Sequence, residues 1–183
     1  MKKSLLLLIA VLLLAPATLI RAQETSTEKN VLKVNTLSLF VGTGSIFYER
    51  ALTAGVSGQL GLGYLGFHSS DTKFSGLILT PEVRLYPKKN ASDGFYVAPY
   101  LRYQKFSVSN DIENAEGSLN SFGGGLVFGR QWITNSGFTM DLFFGGHYGS
   151  SNVKASEGNA DVLDIKFFKG FKPRIGFALG FAF

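Results

Sequence analysis

The chain contains no cysteine. That excludes disulfides, thiolate metal sites and a lipid carried on an N-terminal cysteine. Histidine occurs only twice, at His68 and His147. No carboxylate stands at a spacing from either that suggests a metal ligand set, so neither a metal nor a cofactor is expected. Long apolar runs are missing too. The longest, Leu5 to Leu14, has ten residues, well short of the ~20 that carry a helix across a bilayer. A strong charge imbalance is also lacking. Lys+Arg number 18 and Asp+Glu 13, for a net charge of +5. Three of the cations, Lys2, Lys3 and Arg21, lie in the first 22 residues, where there is no acid; the remaining 15 cations and 13 acids leave only +2. The basic balance belongs to the leader, which argues against a nucleic-acid partner.

What the chain does have is 22 glycines and 17 phenylalanines in 183 residues, enough length for one domain. It begins with a short basic segment, Met1-Lys2-Lys3, followed by the ten-residue apolar run. Ala15-Pro16-Ala17 and Ile20-Arg21-Ala22 are candidate processing points. This is the layout of a secretory signal peptide, and residues 1–22 are assigned to it. An uncleaved anchor is the alternative, disfavoured by the run's length. Residues 23–30 are polar and read as a flexible lead-in.

From Val31 onward the pattern is alternation without a helical period. Eight segments show it: 31–41, 46–52, 56–67, 74–86, 95–107, 119–133, 138–148 and 174–183, the last entered through Phe171-Lys172-Pro173. The terminal segment is the clearest. Ile175, Phe177, Leu179, Phe181 and Phe183 alternate with Gly176, Ala178, Gly180 and Ala182. A strand sends successive side chains to opposite faces, so one face is bulky and apolar and the other almost bare. Pro81, inside the fourth segment, predicts a bulge or local break there.

The charges fall on one face. Lys33, Glu49, Glu82, Arg84, Arg102, Asp141 and Arg174 share the face opposite the bulky residues. In a soluble barrel the charged face is outside. In a membrane barrel it lines the interior, because Arg or Lys facing lipid at the midplane costs roughly 2–4 kcal/mol. The small residues of the last segment favour the second arrangement. An eight-stranded interior is about filled by side chains, so those residues are expected to form an ion-pair network that leaves no open pore. Closure also pairs every backbone polar group away from water. The connections at 53–55, 87–94 and 134–137 are short, while 108–118 and 149–170 are long. Aromatic residues near strand ends, Tyr48, Tyr86, Trp132, Phe138 and Phe183 at one end and Phe40, Phe67, Phe74, Phe106 and Tyr148 at the other, suit two interfacial girdles.

The leader, the Gly-aromatic strands, the Pro81-Glu82-Val83-Arg84-Leu85-Tyr86-Pro87 stretch and the closing Phe183 together resemble the outer membrane protein beta-barrel domain family of small bacterial barrels. The resemblance covers about residues 31–183. It implies an all-β, eight-stranded antiparallel up-and-down transmembrane β-barrel; the leader predicts Sec-type export, and the even strand number returns both barrel termini to the periplasm. It implies a client of the barrel-assembly machinery, with Phe177, Leu179, Phe181 and Phe183 as the C-terminal assembly signal. It supplies no catalytic residue.

Three functions fit such a barrel. The first is a monomeric structural or binding protein in outer-membrane lipid, its specificity carried by the loops at 108–118 and 149–170. The second is a lipid-modifying enzyme of the lipid A deacylase type. His68 or His147 would then be the base, with Ser69, Ser70, Asp71, Ser150, Ser151, Glu157 or Asp161 as partners. The third is a narrow channel or small hydrophobic-solute transporter. Polar loops are rich in such residues without catalysis, so the first is favoured and no enzymatic activity is expected. Gly123-Gly124-Gly125 lacks the strand-loop-helix context and the lysine of a phosphate cradle and reads as close packing. Asp111, Glu113, Glu116, Glu157, Asp161 and Asp164 read as a solvated loop surface.

Overall fold

The computed structural model describes residues 30–40, 42–69, 72–88, 90–110, 115–155 and 170–183. The leader at 1–22, most of the lead-in and Val162 to Phe168 lie outside the described residues. Eight strands follow one another: β1 (Asn30–Asn35), β2 (Thr43–Thr53), β3 (Val56–Ser69), β4 (Thr72–Leu85), β5 (Gly94–Asn110), β6 (Ala115–Ile133), β7 (Phe138–Ala155) and β8 (Gly170–Ala182). Each pairs antiparallel with its neighbours in sequence, and β8 returns to β1. The result is a closed up-and-down barrel. The start of β1 meets the last residue, with Asn30 N donating to Phe183 O at 3.0 Å and Phe183 N to Asn30 O at 2.8 Å. We call this the terminal end and its opposite the far end.

Sidedness follows the alternation. Along β8, Arg174, Gly176, Ala178 and Ala182 are buried inside, while Ile175 and Phe181 are exposed on the outer wall. Leu32, Leu62, Leu77, Leu101 and Phe144 point outward in the same way. Inside, aromatic rings cross onto glycines of adjoining strands. Phe47 lies over Gly61, Tyr96 over Gly129, Phe106 over Gly76 and Phe143 over Gly176, each where a β-carbon would otherwise stand. The bare face of β8 is thus the space that a neighbouring ring fills, a pairing that holds register across a glycine strand.

The structure departs from the sequence expectations at several points. Residues 36–40 do not continue the first strand. Thr36–Leu39 instead form a single helical turn, α1. Asn35 ends β1 as its N-cap: Ser38 N donates to Asn35 Oδ1 at 3.3 Å, and Ser38 Oγ to Asn35 O at 2.8 Å. Short polar side chains offer the backbone this alternative to a ladder.

The far-end connections are shorter than expected. β5 and β6 reach Asn110 and Ala115, and β7 reaches Ala155, so most of 108–118 and the start of 149–170 are strand. At 17, 19 and 18 residues, these strands exceed the ~9–11 that cross a bilayer. Their polar ends had the composition of loops. At Pro81 the β4–β5 ladder is interrupted without a change of register. Leu79 pairs with Tyr103 and Glu82 with Tyr100, with no recorded partner between them. Two residues assigned to the girdles, Tyr86 and Phe106, turn inward and are buried. Tyr86 continues the inward parity of Glu82 and Arg84, and Phe106 that of Arg102 and Gln104.

Candidate functional site

The lumen divides into a charged floor at the terminal end and a cavity above it. Strand parity aims Lys33, Glu49, Glu82, Arg84, Asp141 and Arg174 at the barrel axis, and each is at most 6% exposed. Glu49 is the hub. Its Oε2 accepts from Lys33 Nζ at 2.7 Å and Arg84 Nη1 at 3.2 Å. Its Oε1 accepts from Ser57 Oγ at 2.6 Å, Tyr86 OH at 2.7 Å and Ser92 Oγ at 3.2 Å. Asp141 Oδ2 accepts from the same two cations, Lys33 at 2.9 Å and Arg84 at 2.8 Å, and its Oδ1 from Tyr96 OH at 2.7 Å. Gln131 Oε1 accepts from both Lys33 Nζ and Arg84 Nη1. Every carboxylate oxygen in this layer has a donor, as a buried charge requires.

Glu82 links the floor to the level above. Its Oε1 accepts from Arg84 Nε at 2.8 Å and its Oε2 from Arg174 Nη1 at 3.0 Å. The Arg174 guanidinium lies over Tyr100, 4.2 Å from the ring centre, with Phe143 at 5.1 Å. Arg84 lies likewise over Tyr96 at 4.2 Å, so each arginine meets a carboxylate and an aromatic face.

The structure brings six of the seven sequence candidates into one network. It does not bring in Arg102. That side chain donates from Nε to Thr80 Oγ1 at 3.3 Å, and among the described residues no carboxylate pairs with it.

The floor also has members that sequence reasoning did not single out: Ser57, Gln59, Tyr86, Tyr96, Gln131 and the turn residue Ser92. All but Ser92 share the inward parity of the charges, which was the available signal. Ser92 had none. The connection between β4 and β5 was read as a polar turn, yet it folds into the barrel mouth. Ala91 N donates to Ala54 O at 2.8 Å, and Gln131 Nε2 to Ser92 O at 2.6 Å. Ser92 is fully buried, with a φ of 71° that a non-glycine residue seldom adopts.

Above the floor lies a cavity of about 300 Å³, lined in part by Phe47, Ile78, Thr80, Arg102, Phe143 and Arg174. His147 is buried nearby and stacks on Tyr100, with ring centres 6.0 Å apart. Among the described residues no hydroxyl or carboxylate hydrogen-bonds to it. The His68 side chain, Ser70, Asp71, Asp111, Glu113, Glu157, Asp161 and Asp164 lie outside the described residues. Of the terminal pattern, Phe177 and Leu179 are half-buried on the outer wall, and Phe181 and Phe183 are exposed.

Residues 7–160 match the family described as "Protein of unknown function (DUF3575)". The chain belongs to that family. No curated protein matches this DUF3575 chain. Among solved structures it is similar to a major outer membrane protein from Thermus thermophilus, at 14% identity and a TM-score of 0.51. That match covers 86% of this chain and 100% of the other. CarO2 and CarO of Acinetobacter baumannii also match, at 14% and 12% identity, each with a TM-score of 0.47. They cover 85% and 88% of this chain and 98% and 100% of theirs. At these identities the likeness to the Thermus protein is one of fold, and the DUF3575 chain shares with it the barrel architecture.

Proposed function

We infer that the protein is a small monomeric barrel of the bacterial outer membrane, closed to through-flow, with a structural or loop-mediated binding role. The observation that carries this is the sidedness of the wall. Apolar residues such as Leu62, Leu101 and Phe144 are exposed outside, while the ionic residues are buried on the axis. Water penalises an apolar surface of that extent, and soluble monomers rarely expose contiguous apolar patches beyond a few hundred Å². Lipid reverses the preference.

In this reading residues 1–22 direct export and are removed. The barrel-assembly machinery reads the Phe177, Leu179, Phe181 and Phe183 side, and both barrel termini face the periplasm. The kinship to the outer membrane protein beta-barrel domain family rests on the same sidedness and on the shared barrel architecture. The floor network favours a closed barrel over a channel, since Lys33, Arg84, Glu49 and Asp141 span the axis as mutual ion pairs. A role without catalysis is favoured by the setting of His147, which stacks on Tyr100.

The test has three readings. Expressed protein should fractionate with outer membranes and migrate faster on a gel before boiling than after. Purified protein in a planar bilayer should give no resolved single-channel conductance. His147→Ala should leave lipid A mass unchanged. Full solubility without detergent would overturn the membrane assignment, steady conductance the closed floor, and deacylated lipid A dependent on His147 the non-enzymatic role.

A further inference from the structure

The barrel wall is not uniform around its circumference. The β1–β8 ladder ends at Asn35 and Ala178, and the β1–β2 ladder at Val34 and Ile46. Beyond that level β8 continues to Gly170 and β2 to Thr43, each with its other neighbour. Between them stands α1 in place of a strand. It is tied to β8 by Thr36 Oγ1, which donates to Phe177 O at 2.9 Å. The cavity reaches this seam: its lining includes Leu37 of α1, Thr43 of β2, and Pro173 and Ile175 of β8. Lining residues on α1, β2 and β8 thus set the cavity against the lumen side of this seam.

Its inner end is cationic and incompletely matched. Lys33, Arg84 and Arg174 pair with Glu49, Glu82 and Asp141, whereas among the described residues Arg102 has no carboxylate partner. Arg174 is 6% exposed, and its Nη2 has no hydrogen-bond partner although its Nη1 is paired with Glu82. A buried guanidinium nitrogen without an acceptor is costly, and a planar fork suits a carboxylate. Between the cations and the seam the lining is Phe47, Ile78 and Phe143.

We propose that this cavity binds a single-chain alkyl carboxylate, its head between Arg102 and Arg174 and its tail leaving through the α1 seam toward lipid. The volume of about 300 Å³ is at the lower limit of ligand pockets, which suits a head and part of a chain. The negative charge of the head suits Arg102, which has no carboxylate partner among the described residues. The carboxylates of the floor beneath are all paired with donors, so the site is closed on that side. The proposal rests on the membrane-barrel reading only for the route of the tail.

The test is titration of octanoate into the full chain in nonionic detergent, with protein-free micelles as the blank. Gel migration before and after boiling establishes that each variant is folded. Saturable one-to-one binding is expected, weakened at least tenfold by Arg102→Gln and abolished by Ser45→Phe, which fills the cavity from β2. Octanol and acetate should each bind at least tenfold more weakly. No saturable binding to folded barrel, or equal binding by wild type and both variants, overturns the proposal. Octyl phosphate binding where octanoate does not overturns the carboxylate head. Failure of the membrane reading would appear separately, as protein soluble without detergent.

Discussion

The two halves of the lumen use the same strands and the same inward parity to opposite ends. At the terminal end, Glu49 alone accepts from five donors, and no cation there lacks a carboxylate. Toward the far end, Arg102 has only a hydroxyl partner among the described residues, and rings lying over glycines leave a cavity beside them. The difference comes from side-chain choice at equivalent positions. Charged and amide residues of complementary sign fill the first half, whereas aromatics, glycine and an arginine outside the ion-pair network line the second. A filled, matched layer supports stability and closure. An unmatched one stores polar capacity that a ligand can use.

The sharpest way to break this contrast is Glu49→Ala. It strands Lys33 and Arg84 with one fewer carboxylate and should cost about 3–5 kcal/mol, read by urea unfolding in lipid vesicles. An unchanged midpoint would show that the floor is not a stabilising layer. Next, Lys33→Met alone should destabilise more than Lys33→Met combined with Asp141→Leu. Removing both partners of a buried pair leaves less uncompensated charge than removing one. The same unfolding series measures it, and simple additivity would count against a coupled network. Gly176→Ala places a methyl in the ring of Phe143 and should cost about 1–3 kcal/mol. Most of that loss should return in a Phe143→Leu background. The smallest effect is expected at Arg102→Gln, which removes one hydrogen bond and no ion pair, for a change below about 1.5 kcal/mol. A loss as large as that of Glu49→Ala would erase the distinction between the halves.

Much of this was legible in the sequence because a strand's period of two is a geometric constant. Counting parity along each segment was enough to put Lys33, Glu82, Arg84 and Arg174 on one face and Ile175 and Phe181 on the other. Strand number followed from the same alternation. What parity does not carry is the stagger between neighbouring strands, and stagger decides which inward residues share a level. Arg102 has the same parity as Glu82 but belongs to the layer above the floor. Ser92 was illegible for another reason. It lies in a turn, where no period applies, and its burial depends on partners from β2 and β6. At Thr36-Leu37-Ser38-Leu39, alternation fitted a strand as well as a single helical turn. Asn35 tipped the balance through a local hydrogen bond that binary patterning does not register.

The floor network has a consequence for how strands find their places. Grease-outward alternation rejects a slip of one residue, which flips every side chain, but tolerates a slip of two. A two-residue slip moves a strand by about 6.6 Å, beyond the reach of any contact that Lys33, Glu49, Arg84 and Asp141 make with one another. Those four residues come from β1, β2, β4 and β7, so a shift of any one of these strands separates opposite charges in a place without water. The ionic layer therefore acts as a checksum on alignment: it catches the misassembly that the apolar wall, by its own periodicity, would let pass.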